Sequence, residues 1–168
     1  MLRLVLAVAL AVALVAAATP ALDDARATRT ERLAERELDR IEAAATTLAS
    51  EDAPGARRTL AVSLPDRSPT TAALDVVAIG GVPDEESVQG QSVRANDSAE
   101  RDVMAFRVAG APRHVRRVGT DLRVVRDGAV AESDATALVL RGGESYAVTL
   151  RLVRLDGRPT VVVSADAR

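Results

Sequence analysis

Nineteen consecutive residues, Leu4 to Leu22, lie uncharged between Arg3 and Asp23. As a helix they span roughly 28 Å, close to the ~30 Å hydrocarbon thickness of a bilayer. A charged, helix-prone stretch follows at once, from Asp23 to Ala49. Residues 1–22 therefore read as a transmembrane anchor and residues 23–50 as a stalk rooted in it. Arg3 and the chain amine flank one end, and Asp23 and Asp24 the other, which favours a cytoplasmic N-terminus and an extracytoplasmic C-terminal domain. The alternative is a cleaved secretory signal: the run ends in Ala16-Ala17-Ala18, small residues that suit cleavage after Ala18. The uncharged stretch is longer than a usual signal core of about 7–15 residues, which tips the reading toward the retained anchor.

The stalk lacks Gly and Pro and is crowded with Ala, Glu, Arg and Leu, all good helix formers. Ala34, Leu38, Ile41, Ala45 and Leu48 recur at helical spacing and make one apolar stripe. That stripe either docks on the downstream domain or associates with another copy through Leu38, Ile41 and Leu48. Upstream of Leu33 the helix is polar on every side, so the packing face is expected only in its second half. Three i,i+3 pairs, Arg32–Glu35, Arg36–Asp39 and Glu37–Arg40, are placed to support it in solvent. Within the apolar run, Ala9 and Ala13 have the small-xxx-small spacing of helix association in membranes. Pro20 removes one helical hydrogen bond, so the helix is expected to kink or end there and restart near Asp23.

After Glu51-Asp52-Ala53-Pro54-Gly55 the period changes from 3.6 to two. Leu60, Val62 and Leu64 alternate with smaller or polar residues, and Leu74–Ile79, Val103–Val108, Val115–Val118, Leu122–Val125, Val130 and Thr136–Leu140 follow as strands. Tyr146, Val148, Leu150 and Leu152 line one face of the clearest strand, which turns at Asp156-Gly157 into Thr160–Val163. Asp127-Gly128 marks another hairpin. About eight short strands joined by turns give an α+β chain. Its residues 57–168 form an antiparallel β-rich domain, a sheet or small sandwich, with a polar loop over residues 83–100.

Catalytic chemistry is sparse. Cysteine is absent, which removes disulfides and thiolate metal sites. The single histidine, His114, sits among Arg113, Arg116 and Arg117, which suits a solvated strand edge rather than a metal site or a general base. Phe106 and Tyr146 are the only aromatic residues and the net charge is −2, so nothing argues for nucleic acid. All 22 basic residues are arginine, as in chains from GC-rich genomes. The acidic groups Asp84-Glu85-Glu86 and Asp97, Glu100, Asp102 do not match an EF-hand spacing, and no Gly-rich phosphate loop, nucleophile elbow or zinc-protease motif occurs. No catalytic, metal or cofactor-binding residue is therefore expected, and no cofactor. Asn96-Asp97-Ser98 is a glycosylation sequon, with Asn96 as acceptor.

An apolar N-terminal helix with a proline near its end, an amphipathic continuation and a β-rich C-terminal domain together resemble type IV pilins and pseudopilins. The composition resembles that of small haloarchaeal members. Met1-Leu2-Arg3 leads straight into Leu4 and the fifth residue is Val5, so the resemblance implies a non-processed accessory component rather than a standard filament subunit. What it implies is non-enzymatic: a structural or interaction protein of the cell surface, associating with protein partners or itself through the N-terminal helix. Two alternatives stand beside it, a secreted β domain that binds a ligand or surface, and an exported carboxylate-based hydrolase.

Overall fold

A computed structural model describes residues 2–81, 102–126, 129–130 and 137–168. Helix α1, Leu2–Glu51, is a single 50-residue helix that runs through Pro20. Of the two outcomes expected at Pro20, a kink or an end with a restart near Asp23, the end and restart do not occur. A proline costs one backbone hydrogen bond, and the strong helix formers on either side carry the helix past it.

The β domain holds nine strands among the described residues: β1 Arg57–Ser63, β2 Leu74–Ile79, β3 Val103–Val108, β4 Arg113–Arg117, β5 Leu122–Arg126, β6 Ala129–Val130, β7 Leu138–Leu140, β8 Ser145–Leu155 and β9 Arg158–Ala167. They form two sheets, β1-β8-β9-β5-β6 and β4-β3-β2-β7. The expected α+β class holds, and antiparallel pairing dominates. One neighbouring pair departs from it: β5 runs parallel to β9, with Leu122 opposite Val161. A parallel neighbour needs a long crossover, and the chain from β5 to β9 passes through β6, β7 and β8 before returning. The junction is held by Asp121, whose carbonyl accepts from the Val161 N–H at 2.9 Å and whose carboxylate accepts from the Thr160 hydroxyl at 2.8 Å.

The β8–β9 hairpin turns as the Asp-Gly pair demands. Asp156 and Gly157 both have positive φ, 51° and 78°, and Leu155 faces Arg158 across the two-residue loop. Asp127-Gly128, the loop over 83–100 and Asn96 lie outside the described residues.

One core joins the helix and both sheets. Ala34, Leu38, Ile41, Ala45 and Leu48 of α1 meet Val62, Tyr146, Val148, Leu150 and Leu152 of the first sheet and Val77, Ile79, Met104 and Phe106 of the second. Helix α1 touches β1, β8 and β9 on one side and β2 and β3 on the other, so its C-terminal half covers the space between the sheets. Alternation along β8 sends Tyr146, Val148, Leu150 and Leu152 inward, as expected.

Tyr146 keeps its polar tip satisfied at the core's margin. Its hydroxyl donates to Glu144 at 2.6 Å and accepts from the Arg141 N–H at 2.9 Å. Burial, then the bond to the Glu144 carboxylate, push its pKa above the ordinary value of 10.0. The folded chain thus holds this proton more tightly than the unfolded one. The stability it contributes is complete below pH 10 and is lost as pH rises through the elevated pKa. An alkaline series of urea melts should show that loss, and Tyr146→Phe should remove it.

Candidate functional site

The apolar half of α1 and the place where the helix enters the β domain form one continuous feature. From Leu4 to Leu22 every side chain is exposed; Leu4 is 70% and Val15 69% accessible. Those exposures are the reverse of a soluble core helix, and this is the one described helix long and apolar enough to cross a membrane. Ala9 and Ala13 lie on this exposed segment.

Leu38, Ile41 and Leu48, weighed as an association face, are 2%, 0% and 0% exposed inside the chain's own core. Docking takes the stripe, so self-association there is corrected: those side chains have no surface left to offer. Any association through α1 falls to its exposed N-terminal half and to the back of the stalk.

Docking also begins earlier than the apolar stripe suggests. Thr30 is fully buried, one helical turn before Ala34. Its hydroxyl is shared between the carbonyls of Arg26 and Ala72, each at 3.0 Å, and the Ala72 N–H donates to the Arg26 carbonyl at 3.4 Å. The Arg26 guanidinium donates from Nε to the Pro69 carbonyl at 2.8 Å and pairs with Asp23 at 2.9 Å. Residues 66–73, between β1 and β2, thus form a collar gripping the helix at 26–30, where the sequence promised only solvent. The collar itself is pinned by Thr71, whose hydroxyl donates to the Asp66 carbonyl at 2.7 Å. A cleft of about 630 Å³ opens here, and Asp23, Asp24, Glu31, Arg26 and Arg67 are among the residues that line it. Thr30→Val keeps the shape but strips the Ala72 carbonyl of the hydroxyl. A loss of about 1–2 kcal/mol in a urea melt is expected, with faster amide exchange confined to residues 68–73.

A second clamp lies on β4, the edge strand of the second sheet. His114 and Arg116, two residues apart and so on one face, turn toward α1. Arg116 pairs with Asp39 and, at 3.0 Å, with Glu42. His114 lies 3.4 Å from Glu31 and stacks on Phe106, ring centres 4.8 Å apart and planes within 5°. Val115, between them, is exposed. The edge position expected for this arginine-rich segment is correct, but half of it is docked rather than solvated. Arg116 also reorders the stalk's own charges: of the three pairs expected along the helix only Glu37–Arg40, at 2.9 Å, forms among the described residues. Asp39 is drawn across to β4 and Arg36 is left without it. Nothing in the spacing of α1 signals this, because the deciding residue lies 77 positions away.

Among the described residues no cluster of three or more His, Cys, Asp or Glu is placed to hold a metal ion. Asp102 is engaged, its carboxylate accepting from the Leu122 N–H at 3.1 Å. Asp84, Glu85, Glu86, Asp97 and Glu100 fall outside the described residues.

Comparison with curated proteins returns no match, and comparison with solved structures returns none either. A family model does match, over residues 1–166, a stretch that takes in the apolar segment, the stalk and the β domain together. The chain belongs to the family described as Domain of unknown function (DUF7311).

Proposed function

We propose that this chain is a non-enzymatic, single-pass membrane protein that holds its β domain outside the cytoplasm and works by packing against other proteins. The observation that carries it is the division of one helix into two environments. Residues Leu4–Leu22 are apolar and exposed all round, while Ala34–Leu48 is locked into the domain core. An unbroken helix between them fixes the domain's position relative to the anchor. The build suits an accessory, pilin-like component of a pilus or secretion-type assembly, in which apolar helices associate in the membrane and β domains are displayed.

A specific observation favours one competing reading. The collar grips α1 from Arg26 onward, so cleavage after Ala18 would leave every docking contact intact. A secreted, freely diffusing β domain is therefore a stable product.

Intact mass of the native protein, taken separately on membrane and medium fractions, decides between them. A membrane-bound chain retaining Leu4–Leu22 supports the anchor; a soluble chain beginning at Thr19 overturns it. Orientation is read with Arg168→Cys, which places the chain's only thiol at the exposed C-terminus. Labelling of intact cells by a membrane-impermeant maleimide is expected.

A further inference from the structure

The back of the stalk carries a surface that no other described residue pairs with. Arg29, Arg32 and Arg36 recur at spacings of three and four and, with Ala25, lie about 180° around α1 from Ala34, Leu38 and Ile41. All three arginines are exposed, and among the described residues none makes an ion pair. Together with Ala25, Thr28 and Leu33 they border a shallow groove of about 590 Å³. On the side of the helix that faces the domain, by contrast, Glu31 is paired with His114, and Asp39 and Glu42 with Arg116.

We propose that this arginine face docks an acidic helix of a different membrane-anchored protein standing beside α1. The proposal rests on the anchored reading above and names the partner's chemistry. Three arguments select that occupant.

Height excludes the lipid surface. Arg32 and Arg36 lie ten and fourteen residues beyond Leu22, about 15 Å and about 21 Å along the helix axis. The headgroup layer extends only about 5–7 Å past the hydrocarbon, and an average tilt of about 20° hardly shortens the climb. Arg29 alone stands close enough to touch it.

Charge excludes a second copy in register. Two parallel copies anchored in one membrane would set Arg29, Arg32 and Arg36 against the same three residues, and like charges at facing positions repel. A carboxylate-bearing helix at those heights meets three guanidinium groups, each able to bind bidentately. Continuity supplies the third argument. The arginine face extends an apolar segment exposed on every side, so a neighbour packed on the span is carried straight up to it.

The test uses the full chain carrying Ala25→Cys, its only thiol, in neutral bilayers with synthetic single-span peptides. Each peptide has an apolar run of equal length, then a cysteine level with residue 25, then Glu, Gln or Arg at the heights of the three arginines. Disulfide trapping of the Glu peptide should exceed that of the Gln peptide by about tenfold, the combined effect of three exposed ion pairs, and should fall in about 0.5 M salt. The Arg peptide should trap least. R29E/R32E/R36E, whose changes all lie on exposed positions, should reverse the order. The peptide series already decides the matter with the arginines unaltered, so a misfolded triple variant costs nothing. Equal trapping of Glu and Gln peptides overturns the docking. So does a predominant disulfide between two copies of the chain, or loss of the Glu preference when anionic lipid is added. A native chain starting at Thr19 overturns the anchored reading instead, a result visible by mass and independent of the trapping.

Discussion

Gly142→Ala is expected to unfold the β domain or cost it about 3–5 kcal/mol, among the largest effects available to a single methyl group. Gly142 lies in the turn between β7 and β8, pressed against the start of β2. A Cβ built there overlaps the Leu74 carbonyl oxygen and lies 2.9 Å from both the Leu74 carbonyl carbon and its Cβ. The obstacle is backbone, so no rotamer change relieves it. Neighbouring groups cannot retreat cheaply either. Leu74 is a buried core residue, and its strand is paired on both sides, with β3 and β7. The next residue, Gly143, has φ +80° and donates to the Pro65 carbonyl at 3.2 Å, which holds the turn in place from the other side. Circular dichroism melts of the detergent-solubilised chain should show the loss. Gly110→Ala makes the informative comparison. Its Cβ meets nothing within 4 Å, so the penalty there is only the positive φ of +78°, about 1 kcal/mol.

Ile41→Asp should detach the stalk from its domain. Ile41 is fully buried at the centre of the docked stripe, where α1 meets both sheets. Truncation to Ala alone would cost about 2–5 kcal/mol by lost transfer energy and an unfilled cavity. A carboxylate adds the penalty of placing a charge among the apolar side chains of the core cluster. Beyond stability, the expected sign is geometric. With α1 released, Leu38 and Leu48 become exposed, the salt bridges of Arg116 open, and protease cuts the stalk in residues 30–48. Limited proteolysis with mass readout checks this. If the stalk stays protected in Ile41→Asp, the collar and the β4 clamp suffice to hold the helix, and the apolar stripe is not its main attachment.

Much of the architecture is legible in the sequence at the level of single elements. The apolar run from Leu4, the stripe Ala34–Leu48, and strands such as Leu74–Ile79 and Val103–Val108 fall where periodicity puts them. Asp156-Gly157 makes the hairpin its residues require. The candidate site is only half legible. The exposed apolar segment can be read directly, whereas the collar cannot. Thr30 looks like one more polar residue on a wet helix, and its burial becomes visible only once residues 66–73 are folded against it. Likewise the stalk's charges suggest three internal pairs and yield one, because Arg116 competes for Asp39 from another element.

Everything that rests on a few neighbouring residues is therefore written in the sequence: helix and strand period, the turn, the length of the apolar run, and which face of α1 is oily. These depend on backbone sterics and side-chain alternation, which act over one or two turns of chain. The tertiary structure alone decided the division into two sheets, the parallel partnership of β5 with β9, the passage of α1 through Pro20, and the partners of Asp39, Glu42, Thr30 and His114. Each of those outcomes is a competition between groups far apart in the chain. Which group wins depends on the surfaces that packing brings together, and local sequence carries no record of that meeting.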